Sequence, residues 1–215
     1  MKALILGGTG LVGSYILDFL IHDTRISEII SFSRRKLTFK DSKLKEIILN
    51  FDDLSFYEKN FQGSVLFLSL GTTRSKAGGK ENQFKVDFEY QLKAAQLAKS
   101  QGVEICVLVS STGAREDSPF FYLKMKGELE KRLISIQFKK LIILRPGPLK
   151  GMRKEQRRGE VLFQKILNLF PQAALPAHIR PIDAKRVAQI ALNSIFVCGE
   201  GIHVLETHDL WNGFN

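Results

Sequence analysis

Tyr122 and Lys126 are four residues apart, so a helix through them puts a phenol and an ammonium on one face. A phenol with its ordinary pKa of about 10 is a poor acid–base group at neutral pH, but a cation beside it favours phenolate and eases proton transfer. Ser110 and Ser111 precede this pair at the end of an apolar run. A hydroxyl there can donate to a substrate oxygen as negative charge gathers on it. A second set of residues binds rather than reacts. Gly7-Gly8-Thr9-Gly10-Leu11-Val12-Gly13 follows the apolar run Ala3-Leu4-Ile5-Leu6, in the order strand, tight turn, helix. Residues without a Cβ let backbone N–H groups approach a diphosphate, at the positive end of the helix dipole. About twenty residues further on, a dinucleotide fold places an acid on the ribose of NAD or a base on the 2′-phosphate of NADP. Here the chain carries Ser33, Arg34 and Arg35. Two guanidinium groups and no acid favour NADPH/NADP over NAD, because guanidinium pairs bidentately with phosphate.

These residues need elements that bring them together. Val12, Ile16 and Leu20 give the stretch after the glycine turn one apolar helical face. Glu28 to Ser33, Glu46 to Phe51, Val65 to Leu70, Val103 to Ser110 and Lys140 to Leu144 read as strands. The runs at Glu46 and Val65 are short and apolar, in the manner of strands covered on both faces. Between them, Gln83 to Ser100 carries Phe84, Phe88, Leu92, Ala95 and Leu97 at near-helical spacing, with Gly102 as a C-cap. Ser118 and Pro119 read as N-cap and first residue of a helix running to about Gln137. Val161 to Phe170 and Asp183 to Val197 are further helix candidates, and Ile202 to Leu205 is a last strand. Gly127, directly after Lys126, costs about 1 kcal/mol in a helix interior. It either permits close backbone packing or has no catalytic meaning.

The alternation predicts an α/β fold, a doubly wound parallel sheet of about six to seven strands in one domain over residues 1–215. Ligands of such a sheet bind beyond the carboxyl ends of the strands. Those ends carry Gly7 to Gly13, Ser33 to Arg35, Leu70 to Thr72, Ser110 and Ser111, and Pro146 and Gly147.

Composition narrows the class. The formal charge of +10 arises from 32 Lys and Arg against 22 Asp and Glu, but the signs are interleaved and there is no long basic tail, so no nucleic-acid partner is expected. Cys106 and Cys198 form no disulfide framework or zinc spacing, which points to a reducing compartment. His22, His178, His203 and His208 are scattered, and no metal site is expected. The apolar start after Met1-Lys2 breaks after four residues at the glycines, and no run approaches the ~18 apolar residues of a membrane span. A cytoplasmic protein is the expectation.

The stretches Ser33 to Phe39, Leu70 to Gly78, Ser110 to Ala114, Tyr122 to Glu128 and Arg145 to Gly147 carry a family resemblance. Over about residues 3–208 the chain resembles the short-chain dehydrogenase/reductase superfamily, in its atypical, Tat-interacting-protein-like branch. The resemblance implies a Rossmann-like fold and an NADPH-dependent oxidoreductase acting on a small-molecule carbonyl. It makes Tyr122 the proton donor and Lys126 the ribose-holding residue, and favours Ser111 over Ser110 as the catalytic serine. It puts Arg34 and Arg35 on the 2′-phosphate and Leu70 and Gly71 beside the cofactor. Thr9, Gly10, Leu11, Val12, Gly13, Ser33, Asn50, Phe51, Thr72, Ser110, Pro146, Leu149 and Arg157 complete the expected cofactor contacts. Residues 150–180 are expected to form a small C-terminal substrate cap, in which Phe163, Ile166, Leu167 and Phe170 face ligand or core. The superfamily's relay asparagine has no clear match. Its absence, with the regulatory character of animal family members, motivates an alternative: an NADPH-sensing module that binds a protein partner with little turnover.

Overall fold

The structure, a computed structural model, describes residues 1–151 and 180–213. In chain order it contains β1 (Lys2–Leu6), α1 (Leu11–His22), β2 (Glu28–Ser33), β3 (Leu44–Ile48), a run of 3-10 turns (Phe51–Phe61) and β4 (Val65–Leu68). Next come α2 (Arg74–Ala77), α3 (Lys80–Phe84), a π-helical turn (Lys85–Glu89), α4 (Tyr90–Ser100), β5 (Ile105–Val109), α5 (Phe121–Ser135) and β6 (Lys140–Arg145). The described chain then gives β7 (Leu149–Lys150), β8 (Ile182–Asp183), α6 (Ala184–Val197), β9 (Gly201–Glu206) and α7 (Thr207–Asn212).

Seven strands form one sheet in the order β3-β2-β1-β4-β5-β6-β9, every pairing parallel. The order reverses between β1 and β4, which makes the carboxyl ends of those strands the switch point of a Rossmann-like fold. Alternate side chains of the central strands fill two cores. Ala3, Ile5, Val65 and Phe67 meet α1 and α6 on one face; Leu4, Leu6, Leu66 and Leu68 meet α4 and α5 on the other. Each fully buried aliphatic side chain contributes about 1.5–3 kcal/mol, and the helices are held by that burial. Val12, Ile16 and Leu20 all face the first core, as their spacing predicts.

Several boundaries depart from the sequence reading, each for a physical reason. The third strand is Leu44–Ile48 and half exposed, because it is the sheet edge and covered on one side; Phe51 belongs to the 3-10 turns that follow. Ser118 does not cap α5. Its hydroxyl takes the N–H of Phe120 at 3.3 Å in a turn, and the helix begins at Phe121 after an extended Phe120. Of the expected apolar stripe Phe84, Phe88, Leu92, Ala95 and Leu97, Ala95 and Leu97 are buried, whereas Phe84, Phe88 and Leu92 are only partly covered and Gln83, Asp87 and Gln91 take the buried face at that end. The cap expected over 150–180, with its helix candidate, lies almost wholly outside the described residues; at its margins Leu149–Lys150 pairs in parallel with Ile182–Asp183.

Gly127 has a packing role. A Cβ there would lie 2.3 Å from the Arg115 carbonyl carbon and 2.5 Å from the Glu116 nitrogen, so α5 touches the preceding loop through bare backbone. Helix propensity alone predicts that Gly127→Ala gains about 1 kcal/mol. The contact predicts the opposite sign, a loss of about 1–3 kcal/mol in denaturant unfolding, because both partners are backbone and cannot swing away.

Candidate cofactor and active site

The glycine turn is tight because no side chain fits in it. Gly7 has φ +93°, and a Cβ on it would lie 2.6 Å from the Ser69 carbonyl. A Cβ on Gly13 would lie 2.1 Å from the Gly7 carbonyl oxygen, so α1 meets the end of β1 backbone to backbone. The Gly10 N–H donates to the Gly7 carbonyl at 2.8 Å, and the Ser69 hydroxyl closes the other side by donating to Leu6 at 2.7 Å. Gly10 opens α1 with no side-chain cap, which leaves the helix N-terminus free of a competing oxygen. Thr9 is exposed, Leu11 half-buried and Val12 in the core. Leu11 also marks where the chain returns after β6: a Cβ on Gly151 would be 2.8 Å from its Cδ1. The expected contact Leu149 packs partly buried one strand residue away, and Arg157 lies outside the described residues.

At the end of β2, Ser33 turns inward while Arg34 and Arg35 stay in water. The Ser33 hydroxyl lies 2.8 Å from the Arg35 carbonyl and 3.3 Å from Glu46, and Glu46 accepts the Leu37 N–H at 2.5 Å. Ser33 therefore shapes the arginine loop from beneath. Asn50 caps the 3-10 turns by accepting the Asp52 N–H at 3.2 Å, and Phe51 is buried against Tyr90 with ring centroids 5.4 Å apart. The Tyr90 hydroxyl donates to Asp52 at 2.7 Å, within the electrostatic reach of Arg34.

The residues expected to react lie near the ends of β4, β5 and β6. Tyr122, in the first turn of α5, is 38% exposed, whereas Lys126 one turn later is only 2% exposed. Lys126 is no surface lysine lying along a helix. Its ammonium forms an ion pair with Asp87 at 3.6 Å, and Asp87 is fully buried in the π-helical turn. The same carboxylate accepts the Thr72 N–H at 3.0 Å, tying down the Leu70–Thr72 loop; Gln91 donates to the Asp87 carbonyl at 2.7 Å. A Cβ on Gly71 would come 3.5 Å from the carboxylate. The two serines separate by direction. Ser110 is buried and donates to Glu130, which Arg145 holds through contacts of 2.5 and 3.2 Å. Ser111 is half-buried, its hydroxyl donating to the Thr112 carbonyl at 3.3 Å, and Pro146 accepts the Thr112 N–H at 2.9 Å. Arg145 also reaches Glu206 at 2.7 Å, and both carboxylates hold its guanidinium well above the ordinary arginine range.

Sequence reasoning missed Asp87, Glu130 and Arg145 as parts of this site. For Asp87 a signal was present: Gln83, Asp87 and Gln91 recur every four residues, a polar stripe inside a helix that a parallel sheet must cover. The ion network of Glu130, Arg145 and Glu206 joins α5, β6 and β9, and no local spacing announces it.

Burial and the Asp52 carboxylate push the Tyr90 phenol up to about 12. An unfolded phenol ionises near 10, so between about 10 and about 12 the unfolded state binds fewer protons and stability falls as pH rises. Tyr90→Phe should flatten that loss by up to about 1 kcal/mol, discounted for partial exposure, when denaturant unfolding at about pH 9 and about pH 11 is compared.

A family model described as HIM1 matches residues 39–178. The mitochondrial protein FMP52 of Candida albicans is 40% identical over 199 residues, spanning 90% of this chain and 87% of that protein. Protein HTATIP2 of Rattus norvegicus is 36% identical over 201 residues, spanning 92% and 82%. Among solved structures, a short chain dehydrogenase family protein from Francisella tularensis superposes with TM-score 0.68 at 15% identity, over 99% of both chains. The Bordetella bronchiseptica enzyme WbmH in complex with NAD+ gives TM-score 0.74 at 14% identity, over 95% of this chain and 75% of its own. The FMP52 relatives of Candida albicans, Saccharomyces cerevisiae and Kluyveromyces lactis are all named mitochondrial, which overturns the cytoplasmic expectation. No helix among the described residues is long and apolar enough to cross a membrane, but that observation bears on insertion and not on compartment. The chain belongs to the HIM1 family, with FMP52 and HTATIP2 among its relatives, and it is built on a Rossmann-like fold.

Proposed function

We propose that this chain is an NADPH-dependent reductase of a small carbonyl compound. One observation carries the reading: an ammonium is buried one helical turn from an exposed phenol, on the sheet edge that also holds the glycine turn. Burying a cation and its counter-ion costs several kcal/mol per ion, a cost that an amphipathic surface helix has no reason to bear. The residues fit a dinucleotide. Gly7 and Gly13 exclude a Cβ and Gly10 leaves only a tight fit for one, and the uncapped start of α1 offers N–H groups and a positive dipole end to a diphosphate. Arg34 and Arg35, exposed at the end of β2, suit a 2′-phosphate.

NADPH, when bound, supplies the hydride. The chain does the rest. Tyr122 gives its hydroxyl proton to the substrate oxygen, Lys126 holds the ribose hydroxyls and steadies the phenolate left behind, and Ser111 donates a hydrogen bond to the same oxygen. Ser110, drawn inward by Glu130, orients the strand end and leaves Ser111 as the serine available to substrate. The Leu70–Thr72 loop forms the wall between the glycine turn and Lys126, with Thr72 anchored on Asp87.

Two measurements test this reading. A fluorescence titration should give tighter binding of NADPH than of NADH, and Arg34→Ala/Arg35→Ala should abolish most of the difference, a loss of about tenfold or more in NADPH affinity. Equal affinities in the parent protein would remove the NADPH assignment. With a responsive carbonyl, Tyr122→Phe should lower the rate of NADPH oxidation by about 100-fold or more. An unchanged rate would remove Tyr122 as the proton donor.

A further inference from the structure

The cofactor reading accounts for Lys126 but not for the carboxylate that faces it. Asp87 is fully buried, 3.6 Å from the Lys126 ammonium, and its other oxygen accepts the Thr72 N–H at 3.0 Å. It lies in a π-helical turn between α3 and α4, flanked on the same helical face by two neutral amides, Gln83 and Gln91. Glu130, the other buried carboxylate among the described residues, is committed to Arg145 and Ser110. The Gly71 backbone passes beside the carboxylate, where an added Cβ would lie 3.5 Å from it.

We infer that Asp87 sets the relative affinity of this site for oxidised and reduced cofactor, by cancelling the buried charge of Lys126 where the nicotinamide end binds. The inference rests on the reductase reading, in which Lys126 holds the nicotinamide-side ribose. An oxidised nicotinamide ring carries one positive charge and a reduced ring carries none. Beside an uncompensated buried ammonium, the oxidised form would be repelled, and repulsion in a site poor in water is strong. Asp87 offsets the charge of Lys126, so the pocket accepts both forms. A neutral amide oxygen at this position would also accept the Thr72 N–H, more weakly, so that contact does not by itself require a carboxylate. The presence of a carboxylate is therefore explained by charge and not by shape. Asp87 touches neither substrate nor reacting atoms in this scheme; it is a positioning and charge-setting residue.

Two single variants move the charge in opposite directions with nearly conserved shape, and equilibrium binding of NADP+ and NADPH to each reads the effect without turnover. Asp87→Asn leaves one buried positive charge and should raise the ratio of the NADP+ Kd to the NADPH Kd by about tenfold, the order expected for one unit charge partly screened. Lys126→Met leaves one negative charge and should move the ratio the other way, even though both affinities fall with the lost hydrogen bonds to ribose. Thermal unfolding of each variant checks that the fold persists; if Asp87→Asn does not fold, Lys126→Met alone carries the sign. A ratio that stays at the parent value, or that moves in the same direction in both variants, overturns the inference while leaving the cofactor assignment intact. A parent protein that binds neither cofactor overturns the reductase reading, and this inference with it.

Discussion

An ammonium held out of water at the end of a parallel sheet is the constraint to which much of the surrounding structure answers. Lys126 is 2% exposed, and a cation so placed requires a partner in reach and polar groups to fix that partner. Asp87 is the partner. Its carboxylate is fixed by the Thr72 N–H and its backbone carbonyl by Gln91, so the loop after β4, the π-helical turn and α5 are joined through a single buried carboxylate. The helix carrying Asp87 departs from α geometry where the carboxylate must reach Lys126, in keeping with the tendency of π turns to occur at functional positions.

A second constraint is steric. Gly7, Gly13 and Gly127 each hold a place where a single added carbon would strike backbone. The first two bring α1 onto the β1–β4 crevice, and the third seats α5 on the loop after β5. Together they set the distance between the glycine cradle and the Tyr122–Lys126 face. The network of Glu130, Arg145 and Glu206 then closes the far side, holding α5, β6 and β9 together and turning Ser110 inward, while Ser111 stays at the surface of the strand end. The glycine turn and the Tyr122–Lys126 face are therefore positioned by backbone contact and by buried charge rather than by long side chains, which would leave both mobile.

Much of this was legible in the chain. The period of apolar residues defined β1, α1 and the central strands, because strands covered on both faces must be short and apolar and a helix on a sheet must show one apolar face. Glycine spacing marked the cradle, since only residues without a Cβ can make it. The polar face of the helix before β5 was read as apolar by one step of rotation. Of the expected stripe, Ala95 and Leu97 are buried, but Phe84, Phe88 and Leu92 yield the buried face to Gln83, Asp87 and Gln91. Hydrophobicity alone misjudges a helix whose buried side chains serve a polar site. The start of α5 was misplaced because Ser118 and Pro119 satisfy local capping rules, while the contact of Gly127 with Arg115 settles where the helix can sit.

The sequence by itself determined the parallel α/β class, the glycine turn, the arginine pair and the Tyr122–Lys126 face, because each depends on local spacing and on the chemistry of single residues. The tertiary structure alone decided what buries Lys126, which serine turns inward, and why Gly127 must be glycine. Those outcomes depend on residues far apart in the chain: Asp87 with Lys126, Glu130 with Arg145 and Glu206, Gly127 with Arg115. A buried charge is stable only when its counter-charge arrives from another element, and a close backbone approach exists only once two elements have docked.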